Sequence, residues 1–347
     1  MTPAQPRPGL RVSWLDLGRV LAMFAVIGIH YASPDFHAIE NAPDASWFLG
    51  AFWMAFLKGE ASTLFFMISG ALLLPRSAAA DPIKSLKRVV NLAGPLLVWS
   101  LLILGYHTVV HHAPFHPWEI LYKPAFYHLW FLYAMIGVYV FLPFIKAVYD
   151  RIVSCNTFKA YFFVLCAAVF FVNSYGESRA IPVFGLEAFF GYGLLFLLGG
   201  VTYDTIVRFG TSAADKRKIR LWAIPLFVVL KVLTFMLLYR ENLGLVEATE
   251  HWVRNFQFHI VATSVVFLAL LSTIEIRSER TAAALSWLSN KVFVIYFLHA
   301  LILQWVKTLI AVPQSASVPL YTLLNFTLCL AFAIVVRRSL PTRKILG

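Results

Sequence analysis

Charged and polar side chains interrupt the first apolar segment of the chain. In LDLGRVLAMFAVIGIH, residues 15–30, Asp16, Arg19 and His30 stand among residues that otherwise favour lipid. Ionisable side chains inside a bilayer are costly, so they usually face a protein interior or a water-filled cavity and mark proton relays, substrate sites or ion pathways. These three residues therefore indicate a functional site within a membrane-spanning helix.

The spacing of these residues determines which of their side chains share a face of the helix. Asp16 and Arg19 are three residues apart, so the two side chains can pair and lower the cost of both charges. Arg19 and His30 are eleven residues apart, which gives a rotation roughly 20° past three full turns and a rise of about 16 Å. We therefore expect Arg19 and His30 to lie on one stripe of the helix, at two depths, and to face one cavity.

The composition indicates a multi-span membrane protein. Of 347 residues, 60% are hydrophobic, 16% are aromatic and only 13% are charged, which excludes an ordinary soluble protein. The apolar segments leave only short connectors, so we expect one integral-membrane domain over residues 1–347. No small-residue cleavage site follows the first apolar segment, so that span is expected to be retained. The three cysteines are too scattered for a disulfide framework.

The apolar segments predict an all-α integral membrane protein with about ten transmembrane helices. Each crossing needs about 20 apolar residues. In the second segment, Lys58 and Glu60 interrupt the apolar pattern, so we expect this helix to tilt or break at Gly59. The predicted helices span residues 12–33, 46–74, 89–107, 127–146, 158–175, 186–205, 219–239, 254–275, 288–311 and 318–337.

The distribution of basic residues predicts that both termini are cytoplasmic. Lys and Arg concentrate in cytoplasmic loops, and the two alternating sets of loops hold twenty and four of them. This distribution explains the net charge of +12 without nucleic acid, because no basic helix with interleaved aromatic residues occurs. The first helix then runs outward, with Arg19 near the cytoplasmic boundary and His30 in the outer half of the membrane.

Small residues near the end of the second helix fall at roughly the depth of Arg19. In LFFMISGALLL, residues 64–74, Ser69 and Gly70 could let a ligand approach the backbone closely. Ordinary packing between helices through small residues is the alternative.

Two other segments carry histidines, of which His128 approaches the depth of His30. His128 and Trp130 begin the fourth helix in YHLWFL, and Tyr296 and His299 lie near mid-membrane in SNKVFVIYFLHALIL of the ninth, which opens with a possible serine cap. An interfacial aromatic belt is the alternative for the first pair, and a satisfied core histidine is the alternative for His299. Three histidines in one bundle are nevertheless harder to explain as core packing than a lone histidine is.

A histidine cluster in an outer loop is the one candidate for metal binding. His111, His112 and His116 occur in HHAPFH, with Glu119 as the nearest carboxylate. A solvated loop explains this cluster better than a metal site does. We therefore expect no bound metal.

Short motifs occur in a fixed order along nearly the whole chain. Arg19, ten residues and His30 are preceded by Leu15 and Asp16. They are followed by FFMISGALL, by SLKRVVNLAGPLLVW with Arg88 and Pro95, by HLWFL with a later Pro143, and by LSNKVFVIYFLHA. This ordered set resembles the acyltransferase 3 family of bacterial integral-membrane O-acyltransferases.

The resemblance implies a reaction and a location. Such proteins move an acyl group, usually acetyl from cytoplasmic acetyl-CoA, to a hydroxyl of a cell-surface polysaccharide or its lipid-linked precursor. The chain is similar to the O-acetyltransferases of enterobacterial common antigen and exopolysaccharides, which implies the bacterial cytoplasmic (inner) membrane. Acyl-CoA, a glycan acceptor and membrane lipids are the expected partners. The sequence does not indicate an oligomeric state.

The resemblance also assigns roles to the candidate residues. His30 would accept the proton of the attacking hydroxyl, Arg19 would bind a phosphate or the polarised carbonyl, and Asp16 would orient or neutralise Arg19. Two sets of residues then surround these three. Ser69, Gly70 and Arg88, together with Arg19, would bind coenzyme A, and His128, Trp130, Tyr296 and His299 would bind the acceptor.

Two other classes of function compete with an acyltransferase. A secondary transporter could use the buried Asp, Arg and His as an ion-coupled pathway, although the sequence lacks paired Gly- or Pro-broken helices in matching halves. A non-catalytic scaffold would leave the Arg19 and His30 stripe without a purpose. Consumption of acetyl-CoA distinguishes the enzyme from both.

Overall fold

Every regular element in the described part of the chain is a helix. The computed structural model describes residues 12–37, 44–112, 114–175, 191–210, 212–243 and 250–339. Short 3₁₀ helices, including Lys58–Glu60, connect several of the α-helices. The α-helices are α1 (Ser13–His37), α2 (Ala45–Leu57), α3 (Ser62–Leu73), α4 (Pro82–His111), α5 (Trp130–Val140), α6 (Leu142–Val153), α7 (Asn156–Tyr175), α8 (Gly191–Phe209), α9 (Ala213–Asn242), α10 (Phe258–Ser272), α11 (Glu279–Ser289), α12 (Val292–Leu309) and α13 (Gln314–Ser339).

Several of these helices are long and apolar enough to cross a membrane. Within the described residues, 7 spans meet this criterion, or up to 9 if each of two bent helix pairs is one span. This confirms the all-helical membrane class. The segment predicted at 186–205 begins outside the described residues, and its described part, α8, is not among these candidates. The count of ten and the orientation of the termini therefore stay predictions.

The second predicted span breaks where the sequence indicated. Asp44 caps α2 by accepting a hydrogen bond of 2.8 Å from the Trp47 backbone N–H. The helix then tightens into the 3₁₀ turn Lys58–Glu60 before α3 begins. A 3₁₀ segment inside a span changes the direction in which successive side chains point.

Two spans that we predicted as continuous helices are bent, and this corrects the predicted ranges 127–146 and 288–311. The segments Tyr127–Val140 and Leu142–Val153 meet at 68°. Pro143 lies in the first turn of α6, where its missing N–H is tolerated but cannot continue the preceding helix. The segments Glu279–Ser289 and Val292–Leu303 meet at 54°, and the expected serine cap is absent, because α12 starts after Lys291, which makes no side-chain cap.

Capping side chains extend two helices beyond the predicted bounds of 89–107 and 219–239. Asp81 accepts hydrogen bonds from the backbone N–H groups of Ile83 and Lys84 at 2.9 and 3.2 Å, so α4 already begins at Pro82. Ser212 accepts a hydrogen bond from the Asp215 backbone N–H, so α9 begins at Ala213. Polar residues in these first turns hid the helix starts from a count of apolar residues.

Helix α1 lies at the centre of the bundle. In its most apolar 18-residue window 67% of the residues are buried, against 22% for α9, so α1 faces protein on most sides while α9 faces mainly outward. Met23 and Ile27 are fully buried near its middle. The central position of α1 brings Arg19 and His30 next to several other helices.

Candidate active site

A cavity of about 360 Å³ opens beside His30. Small-molecule sites typically measure about 300–1,000 Å³, so this space can hold a small ligand. On α1 the described lining runs from Val26 to His30 and does not reach Arg19. Met23, which lies between the two stripe residues on α1, is fully buried. This cavity therefore faces His30 and not Arg19 among its described lining residues, and a cavity shared by Arg19 and His30 stays a prediction.

The three histidines that we predicted to lie in one bundle are in ring contact. The His30 ring stacks on the His299 ring with 5.4 Å between centroids, and His128 meets His299 edge-on at 4.9 Å. Within the described ranges, no three His, Cys, Asp or Glu side chains are grouped as metal ligands would be. The cluster is therefore a set of imidazoles in ring contact, and His30 is its least buried member.

Hydrogen bonds hold this histidine cluster in place. The His299 Nδ1–H donates to the Tyr296 carbonyl over 2.6 Å, which fixes the tautomer and leaves a lone pair on Nε2. The Tyr296 hydroxyl in turn donates to the His128 carbonyl. The fully buried Asn325 amide donates to the His299 carbonyl over 3.0 Å and to the Tyr31 hydroxyl over 3.1 Å. This asparagine of α13 was not predicted, although a lone Asn in an apolar helix was a signal for it.

Of the four residues expected to bind the acceptor, three line the cavity beside His30. His128, Trp130 and Tyr296 line the same cavity as His30, whereas the described lining does not include His299, which packs against the His30 ring. His30 itself makes no hydrogen bond or ion pair with another described residue. Its imidazole is thus free to meet a ligand hydroxyl in the cavity.

Lys58 lines the cavity and was not predicted as a site residue. The 3₁₀ turn directs Lys58 toward the cavity and Glu60 away from it. Glu60 instead forms a buried ion pair with Lys231 of α9 at 2.5 Å, and Lys231 also donates to the Phe56 carbonyl over 2.5 Å. The sequence showed these charges but not their partners, because 171 residues separate Glu60 from Lys231.

The other end of α1 holds the residues that we predicted to bind coenzyme A. Asp16 is buried and Arg19 is half-buried. Arg19 and Arg88 both act electrostatically on the hydroxyl of Tyr139 in α5. Arg88 also donates to the Ala78 carbonyl over 3.4 Å. Both arginines thus act on one tyrosine, and Arg19 lies about 16 Å along α1 from His30.

Ser69 and Gly70 are engaged in helix packing. The Ser69 hydroxyl donates to the Phe65 carbonyl of its own helix over 2.8 Å. A Cβ at Gly70 would overlap the carbonyl oxygen of Phe196, and a Cβ at Gly199 would overlap the backbone of Met67. Helices α3 and α8 therefore approach each other to backbone contact through their glycines. The packing alternative explains Gly70 fully, and its role in coenzyme binding stays a prediction.

Basic side chains beyond the predicted spans are partly paired. Lys216 lies 2.9 Å and Arg277 lies 2.6 Å from the Glu275 carboxylate. Hydrogen bonds from Lys216 and Arg277 lower the pKa of Glu275 to about 2, so this carboxylate keeps its charge at neutral pH. These two cations are thus already engaged by an anion of the chain itself.

The comparison with known families agrees with the helical bundle and its motifs. Residues 12–338 match the family model Acyl_transf_3, described as an acyltransferase domain. The chain belongs to this acyltransferase family. No curated protein matched the chain. The match covers every helix that positions the histidine cluster, and it favours an acyltransferase over a secondary transporter.

Proposed function

We propose that the protein is a membrane-bound O-acyltransferase that moves an acyl group, most readily acetyl from acetyl-CoA, to a hydroxyl of a cell-surface polysaccharide or its lipid-linked precursor. The observation that supports this best is the accessible His30 imidazole in a cavity, within a chain that belongs to an acyltransferase family. An aromatic wall that includes Trp130 suits the apolar faces of a sugar ring. The proposed location is the bacterial cytoplasmic membrane.

In the proposed reaction His30 acts as the general base. Its unprotonated ring nitrogen accepts the proton as the acceptor oxygen attacks the thioester carbonyl carbon. The new C–O bond forms while the C–S bond breaks, and the leaving group is the thiolate of coenzyme A. The proton on His30 then passes to the thiolate or to solvent, which restores the base. We propose direct transfer without an acyl-enzyme.

Arg19 and Arg88 are proposed to bind the phosphate groups of coenzyme A. Coenzyme A is a polyanion, and guanidinium groups bind phosphate through several donors at once. The thioester lies at the end of a long flexible arm, so the phosphates and the thioester can occupy opposite halves of the membrane. This division of roles fits a cavity that surrounds His30 and excludes Arg19.

The experiment that tests this proposal compares glycans from cells with and without the protein by mass spectrometry. An acyl group of defined mass on a surface glycan, present only with the protein, is the expected result. Proteoliposomes supplied with acetyl-CoA should also release free coenzyme A in the presence of a glycan extract. Substrate movement across the vesicle membrane without acetyl-CoA would instead indicate a transporter.

A further inference from the structure

The cavity beside His30 contains more positive than negative charge. Its charged lining residues are Lys58, Arg254 and Glu250. The carboxylate of Glu250 lies 3.4 Å from His37 and acts on Lys58 only electrostatically. Among the described residues, neither Lys58 nor Arg254 has a carboxylate within salt-bridge distance. The lining therefore presents two cations that no described carboxylate neutralises by direct pairing.

The position of Lys58 is fixed by anchors on both sides of the 3₁₀ turn. The Gly59 carbonyl accepts a hydrogen bond from the Ser264 hydroxyl of α10. Glu60 is held by the buried Lys231, at 2.5 Å. A Cβ at Gly59 would lie only 3.0 Å from a methyl group of Thr263, so the turn also packs tightly against α10. Lys58 is thus held at the cavity wall by the anchors of its neighbours Gly59 and Glu60.

An unpaired cation at membrane depth is costly, and an anion of the ligand would reduce this cost. Lys58 acts electrostatically on His30, so the two groups border the same space. The other walls supply aromatic rings and the side-chain amides of Asn173 and Asn255. Aromatic faces with a few polar groups are typical of small-molecule sites, and amides can hydrogen-bond sugar hydroxyls.

We propose that this cavity selects an acceptor sugar that carries an anionic group and that Lys58 and Arg254 bind that group. This inference rests on the proposed function, because it defines the acceptor class of the same site. The anion is either the carboxylate of an acidic sugar or a phosphate attached to the sugar. In both cases the charge lies on the acceptor and not on the acyl donor.

The test measures binding, so it does not depend on catalysis. Purified protein in nanodiscs is titrated with methyl glucuronoside, glucose 1-phosphate and neutral methyl glucoside. At least one anionic probe should bind about tenfold or more tightly than the neutral one, which is the effect of one charge-assisted hydrogen bond. The preferred anionic probe distinguishes a carboxylate from a phosphate. Added salt should weaken this preference.

Matched variants assign the preference to the cavity cations. Lys58→Met should remove most of the preference, Lys58→Arg should retain it, and Arg254→Gln should reduce it. Lys307→Met is the control, because this exposed lysine of α12 does not line the cavity. Coenzyme A should bind wild-type protein and Lys58→Met equally.

Four results would overturn the inference. They are equal binding of all three probes by wild-type protein, binding of none of them, a preference that survives in the Lys58→Met and Arg254→Gln double variant, and weaker coenzyme A binding by Lys58→Met. The first two need no variant, so a folding defect cannot hide the answer. If the preference is present but no acyl transfer occurs, the proposed function fails and the anionic-sugar site stands.

Discussion

The buried ion pair between Glu60 and Lys231 permits a quantitative prediction. The two charged groups are 2.5 Å apart, and each side chain is only 10% exposed. Lys231 also lies 5.6 and 5.2 Å from the ring centres of Phe56 and Phe227. Lys231→Met removes the cation and leaves a buried carboxylate without its partner. Breaking a buried pair in this way costs about 3–5 kcal/mol.

Removal of both charges should be less harmful than the sum of the single changes. In the double variant Glu60→Gln and Lys231→Met no unpaired charge remains buried, so we expect its loss of stability to be about 1–3 kcal/mol smaller than that sum. The measurement is reversible unfolding of all four proteins in mixed micelles. Lys307→Met is the control, and as an exposed substitution it should change stability by no more than about 0.5 kcal/mol.

Additive single changes would refute this reasoning. If the double variant loses the sum of the two single losses within about 0.5 kcal/mol, the charges are not coupled. The ion pair with Lys231 would then not anchor Glu60 at the helix break, and it would not explain why Lys58 faces the cavity.

Two further predictions concern packing and topology. Gly70→Ala should destabilise the protein by about 1–3 kcal/mol through overpacking against Phe196. Gly94→Ala is the control and should not destabilise it, because a Cβ at Gly94 meets nothing within 4 Å. Thermal unfolding of both variants measures this, and equal effects would contradict the backbone contact between α3 and α8. Topology reporters fused after Gly347 and within residues 208–218 should both give a cytoplasmic signal, and a reporter at His112 should give an external one. A periplasmic signal at either of the first two sites would contradict the predicted orientation.

The proximity of His128 to His30 could be predicted because depth in a membrane follows from position along a helix. From the sequence, His128 was placed near the depth of His30 and His299 near mid-membrane, and helices in one bundle bring groups of similar depth near one another. Helix length and hydropathy likewise indicated the membrane class. The break at Gly59 followed from Lys58 and Glu60, which interrupt an apolar segment.

The depth of a residue in the membrane does not determine which helices pack next to each other. The partner of Glu60 is on α9, and Asn325 on α13 reaches His299 and Tyr31, pairings that depend on the angular arrangement of the bundle. The assumption of straight helices also failed at Phe141 and Asn290, where local bends redirect the chain. The stripe from Arg19 to His30 likewise did not predict that Met23, which lies between the two residues on α1, is fully buried.

The most direct test of the central claim is the rate of acyl transfer by His30→Asn. Purified variants receive radiolabelled acetyl-CoA and the acceptor glycan, and both coenzyme A binding and label transfer are measured. His112→Asn is the matched control, because His112 is exposed and its positive φ of 53° suits asparagine. We predict that His30→Asn folds and binds coenzyme A like wild type but transfers label about 10²- to 10⁴-fold more slowly, as loss of a general base requires. Transfer by folded His30→Asn at the wild-type rate would contradict the assignment of His30 as the catalytic base.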